Sequence, residues 1–177
     1  RQFRPMNAEK TGRGMVAAAF VLLIILLTMF FSEVEEHQRN PNQSPVTRQS
    51  SESVEVNLER NRQGHYVVSG SINQEPVEFL LDTGATDVVI PEATAERLNL
   101  PRGRAGRAMT ANGVVTVYAT QLDRLSIGGI TLFGIRASIN PAMSPPGVLL
   151  GMSALEQIEF TQQGDSLTLR QHSAGSF

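Results

Sequence analysis

Asp82 closes the apolar run Phe79-Leu80-Leu81 and opens Thr83-Gly84-Ala85, ahead of a second apolar run, Val88-Val89-Ile90. Aspartate is a poor strand residue, and a charge buried without a partner is costly. A carboxylate delivered from the end of an apolar strand is therefore placed for chemistry, and it can act as a general base towards water. Gly84 lets another backbone approach closely, and Thr83 offers a short hydroxyl to nearby backbone groups. Competing chemistries lack their residues. The chain has no cysteine, which removes thiol nucleophiles and thiolate metal sites. His37, His65 and His172 show no metal-ligand spacing, Gly151-Met152-Ser153 is not a serine nucleophile elbow, and no phosphate loop occurs. No metal and no cofactor are expected.

The chain has four aspartates, Asp82, Asp87, Asp123 and Asp165, and only Asp82 precedes Thr-Gly. Asp87 adjoins an apolar run and suits a structural or substrate-backbone hydrogen bond. Asp123, followed by Arg124, suits a solvent-facing position, and Asp165 a turn.

Leu80-Leu81-Asp82-Thr83-Gly84-Ala85 resembles the active-site motif of aspartic proteases, and the alanine suits their retroviral, or retropepsin, branch. Val148-Leu149-Leu150-Gly151-Met152-Ser153-Ala154-Leu155 resembles that family's apolar-apolar-Gly segment with its short helix, which crosses behind the catalytic loop. Thr110-Ala111-Asn112-Gly113 and Leu149–Ser153 are similar to the membrane-anchored retropepsin-like proteases of bacteria, and the resemblance covers Val54 to Gln171. It implies a mostly-β, retropepsin-like half-barrel subunit with one or two short helices, preceded by a transmembrane helix. Peptide hydrolysis without metal or covalent nucleophile needs a base to activate water and an acid to protonate the leaving nitrogen. Two carboxylates ~3 Å apart that share one proton supply both, and aspartic proteases are the known case of this arrangement. With one such aspartate per chain, the second must come from another copy, and a two-fold homodimer brings Asp82 to Asp82.

The resemblance further implies that Thr83, Gly84 and Ala85 form the active-site loop and that Thr83 grips the partner's loop. Gly84, Thr86, Asp87 and the hairpin tip Thr110, Ala111, Asn112 and Gly113 would bind an extended peptide or protein substrate, added as a strand between loop and flap. Two positions depart from the retroviral pattern: Thr86 stands where an aspartate is usual, and Met152 where an arginine is usual. In the family those two residues form an ion pair that supports the dimer, so membrane tethering would have to compensate. The implied activity is that of an aspartic endopeptidase, self-cleavage included. The alternative from another class is a membrane-tethered, non-catalytic peptide-binding module that kept the fold.

Around these residues the periodicity reads as short strands and glycine turns. Val54–Leu58, His65–Ile72 and Val77–Asp82 are strands, Asn73–Pro76 a turn, and Asp87–Ile90 a buried strand. Pro91 suits the start of a short helix over Glu92–Leu98. Arg107–Ala119 reads as a hairpin with Asn112-Gly113 at its tip, because both central turn positions need positive φ. Val117–Ile127 and Ile130–Ile139 pair around Gly128-Gly129, Ser153–Ile158 is a short helix, and Phe160–Thr161 pairs with Leu167–Arg170. Arg102, Arg104 and Arg107 lie in a glycine-containing segment that reads as a solvated loop.

Outside this domain, 54–171, the chain divides by composition. Residues 1–13 are a basic tail, 14–32 a transmembrane helix, 33–53 a flexible stalk and 172–177 a short tail. Met15–Phe31 carries no charge over seventeen residues and no cleavage site follows it. Arg1, Arg4, Lys10 and Arg13 precede the span, and Glu33, Glu35 and Glu36 follow it. The excess of basic residues places the N-terminus in the cytoplasm. The expected location is the cell inner membrane, single-pass, with residues beyond the span periplasmic or otherwise extracytoplasmic. A net charge of −2 gives no case for nucleic acid as a partner.

Overall fold

The computed structural model describes residues 8–110, 113–144 and 147–172. The chain separates after Gln38 into two units.

The first unit is helical. Helix α1 runs Ala8–Arg39, and its stretch Gly14–Arg39 is long and apolar enough to cross a membrane. Every side chain from Met15 to Phe31 is exposed, so the helix has an apolar surface all round and no core of its own to cover it. The helix runs beyond the expected span of 14–32 at both ends.

The second unit is built of strands. In chain order these are β1 (Val46–Gln49), β2 (Ser53–Glu59), β3 (Val67–Ile72), β4 (Glu75–Leu81), β5 (Val88–Pro91), β6 (Ala105–Thr110), β7 (Gly113–Ile127), β8 (Ile130–Asn140), β9 (Val148–Leu150), β10 (Glu159–Gln163) and β11 (Ser166–His172). Two short helices, α2 (Glu92–Arg97) and α3 (Met152–Leu155), join them. Seven strands form one sheet in the order β3-β4-β9-β5-β8-β7-β6. An added pairing of β3 with β7, through Ser71–Ser126 and Ile72–Leu125, wraps this sheet back on itself. The other four make an antiparallel sheet in the order β1-β2-β11-β10.

The core follows from alternation along these strands. Phe79, Ile72, Ile90, Leu122, Leu125, Ile135 and Leu150 are fully buried inside the larger sheet, and Leu58 and Leu169 of the smaller sheet join the same apolar cluster. The unit is mostly β with two short helices, as the motifs imply.

Residues 33–53 differ from the expected flexible stalk. Residues 33–39 continue α1, and β1 pairs with β2 from Val46–Asn57 to Gln49–Val54. Asn40 and Asn42 between them are buried. The Asn42 amide donates to the carbonyls of Glu59 (2.9 Å) and Val67 (2.7 Å), while its Oδ1 accepts from the Glu59 amide at 2.7 Å. Asn40 donates to Ser69 Oγ at 3.0 Å and accepts from the Asn42 amide at 3.0 Å. A segment too polar to make a core is thus ordered by bonding to backbone groups that would otherwise be buried unpaired.

Candidate active site

Three strands set the site. β9 lies between β4 and β5, parallel to β4 through Phe79–Val148, Leu80–Leu149 and Leu81–Leu150, and antiparallel to β5 at Val89–Leu149. The chain leaving β4 must therefore pass around the end of β9 to enter β5, and residues 82–87 make that passage. Their apolar flanks belong to buried strands, which is why the loop starts and stops where it does.

Backbone bonds stitch the loop to β9 and α3 along its length. The Asp82 amide donates to the Leu150 carbonyl (3.2 Å) and the Ala85 amide to the Asp82 carbonyl (3.2 Å). The Met152 amide donates to Ala85 (2.8 Å) and the Ser153 amide to Thr86 (2.9 Å). Gly151 sits against this loop so closely that a Cβ there would lie 2.1 Å from the Asp87 carbonyl oxygen and 2.8 Å from that of Ala85. Both obstacles are backbone, so no side chain fits.

Asp82 is half-buried, and its Oδ1 accepts from the Gly84 amide at 2.9 Å. That bond aims the carboxylate along the turn and leaves its other oxygen available. Thr83, Gly84 and Thr86 are exposed, and Ala85 and Asp87 half-buried. Asp87 Oδ1 lies 3.9 Å from Arg136 Nη2, and the same guanidinium nitrogen is 3.9 Å from Glu156 Oε1. Both contacts are long and solvent-exposed, and such pairs are worth under about 1 kcal/mol. Asp123 is exposed and Asp165 lies in a turn.

β6 and β7 form the expected hairpin, in register from Ala105–Tyr118 to Thr110–Gly113. Thr110 Oγ1 donates to the Gly113 carbonyl at 2.8 Å, and Gly113 has φ of 107°. The expected tip residues Ala111 and Asn112 lie outside the described residues. In the segment before the hairpin, Arg102 stacks on Tyr118, 4.3 Å from the ring centroid, and pairs with Glu92. Among the described residues no group of three or more metal-ligating side chains gathers.

Sequence reasoning missed Ser153. Its hydroxyl accepts from the buried Val88 amide at 3.1 Å and donates to the Arg136 carbonyl at 2.8 Å. A serine after Gly-Met carries no signal of this, because both partners are backbone atoms from remote strands.

Comparisons with known proteins agree with this geometry. Residues 68–157 match the family model described as gag-polyprotein putative aspartyl protease. An uncharacterized protein from the cobV 5′ region of a Sinorhizobium species is 30% identical over 134 residues, which are 73% of this chain and 58% of that protein. An uncharacterized Rickettsia prowazekii protein is 28% identical over 119 residues, 65% of this chain and 50% of that one. The chain thus spans about half the length of the curated relatives it matches. The crystal structure of a retropepsin-like aspartic protease from Rickettsia conorii superposes with a TM-score of 0.56 at 25% identity, covering 73% of this chain and 97% of that one. With half of its length matched by the family model and its fold shared with that enzyme, the chain belongs to the retropepsin-like aspartic proteases.

Proposed function

We propose that this protein is a membrane-anchored aspartic endopeptidase, active as a homodimer in which two Asp82 carboxylates share one proton and activate a water between them. The observation that carries the reading is the placement of Asp82. It is half-buried at the end of β4, oriented by the Gly84 amide, on a loop braced by β9. The other aspartates sit elsewhere, so one chain supplies half of an acid–base pair. Thr83, Gly84 and Ala85 make the loop. Gly84, Thr86, Asp87 and the hairpin tip from Thr110 to Gly113 receive an extended peptide. The apolar part of α1 anchors the chain in the inner membrane with its basic end cytoplasmic, and the protease domain stands outside the cytoplasm. Its own juxtamembrane region is among its substrates.

Subunit mixing tests the shared pair. Asp82→Asn is nearly isosteric but cannot accept the proton taken from water. In an equal mixture that exchanges freely, random pairing leaves about a quarter of dimers with two intact chains, so the initial rate falls to roughly a quarter at constant total protein. A decline linear in the mutant fraction, leaving about half, would show independent sites and sink the reading.

A further inference from the structure

We propose that Ser153 is a positioning residue for the Asp82 loop, its buried hydroxyl bridging the start of β5 to β8. The proposal rests on the protease reading for its catalytic consequence, but not for its geometry.

β5 and β8 are parallel, with Val88 beside Ala137 and Val89 beside Ser138. The Val88 amide donates to Ser153 Oγ at 3.1 Å, and Ser153 Oγ donates to the Arg136 carbonyl at 2.8 Å. One hydroxyl stands between the two strands, accepting from one and donating to the other, as a serine can. Ser153 is 3% exposed and Val88 fully buried, so water is a poor substitute at this position.

The bridge holds the end of the active-site loop. Val88 is the first residue of β5, directly after the loop, and the Ser153 amide holds Thr86 two residues earlier. Asp82 is fixed at the other end through Leu150. The loop is thus spanned between two anchors on one segment, β9 and the start of α3, and the Ser153 hydroxyl adds a side-chain bond to the backbone ones. The family's usual ion pair is absent here, since Thr86 and Met152 replace its members. A neutral buried hydroxyl braces the same loop.

Removing the hydroxyl breaks this link between β5 and β8, and the end of the loop at Val88 loses its side-chain brace. A displacement of about 1 Å at reacting groups costs on the order of 100-fold in rate. The full chain in detergent micelles, with Ser153→Ala, Ser153→Thr and Asp82→Asn, tests this by hydrolysis of an unfolded protein substrate and by backbone amide resonances. In Ser153→Ala we expect the resonances of Ala85–Val88 to move while those of β7 stay, and kcat to fall roughly 10- to 100-fold with KM within about two-fold. Ser153→Thr, which keeps the hydroxyl, should restore most of kcat. Wild-type kcat in Ser153→Ala, or equal losses in both variants, would overturn the proposal. So would resonances that move throughout β7 and β8, which would mark a residue of general stability. If hydrolysis survives Asp82→Asn, the protease reading fails instead. The Ala85–Val88 resonances then judge Ser153 alone, and unmoved resonances overturn it.

Discussion

At the scale of single residues, the site depends on close approach as much as on charge. Gly151 is the sharpest instance, because a Cβ would collide with two carbonyl oxygens of the loop it supports. Gly151→Ala should destabilise the domain by about 1–3 kcal/mol, the usual cost of overpacking, and abolish hydrolysis by pushing the loop outward. Gly147→Ala is the control, since a Cβ there meets nothing within 4 Å, and its effect should stay within about 0.5 kcal/mol. Melting curves and rates of the two variants check this, and a wild-type Gly151→Ala would refute the packing account. Asp82 was legible as a candidate because an aspartate ending an apolar strand is anomalous in itself. Gly151 was legible only as part of a motif. Ser153 was not legible, because its partners are backbone atoms brought near by the crossing of β9 between β4 and β5.

At the scale of elements, strands of alternating pattern and the Asn-Gly hairpin were read with small errors at their ends. The segment before the domain was misread. Polar composition signals a coil only where the polar groups face water; Asn42 instead completes the backbone bonding of β2 and β3, and buried Asn40 bonds the Ser69 and Glu78 side chains. The folded unit therefore starts near Arg39, whose guanidinium pairs with Glu78 at 3.2 Å, rather than at Val54. A chain begun at Val54 should be less stable than one begun at Arg39, because it loses β1 and the asparagine contacts. Asn42→Ala alone should cost about 2 kcal/mol or more by stranding the Glu59 amide and Val67 carbonyl. Urea unfolding of the three proteins gives the comparison, and equal midpoints for the Val54 and Arg39 chains would contradict it. The same order narrows where the proposed self-cleavage would fall. Residues 33–39 are helical and a poor protease substrate, whereas Ser50–Glu52 forms an exposed turn between β1 and β2. A cut there should leave both fragments paired until denatured, and should be absent from Asp82→Ala. Identical fragments from both proteins would assign the nick to another protease.

At the scale of the whole molecule, the proposed anchor and the proposed pair of subunits bear on each other. The sequence offers a candidate span because an uncharged apolar helix with no polar face is long enough to cross a membrane. The proposed dimer follows only by subtraction, from one Asp-Thr-Gly in a chemistry that needs two carboxylates. In such a dimer Thr86 and Met152 stand where the motif resemblance implies a supporting ion pair. The contacts of Arg136 with Asp87 and Glu156 are within one chain and solvent-exposed, so they do not restore that support. A weak dimer becomes effective when its chains are confined to one membrane, because confinement raises their concentration towards each other without any new contact. The full chain in vesicles should then keep its specific activity when the suspension is diluted tenfold at a fixed ratio of protein to lipid. A chain begun at Arg39, free in solution and mostly monomeric, should lose about tenfold, because dimer concentration falls with the square of total protein. Rates over a dilution series for the two proteins make the comparison. Constant specific activity of the soluble chain down to nanomolar concentration would mean that the subunits hold together unaided, and the anchor would then need another purpose.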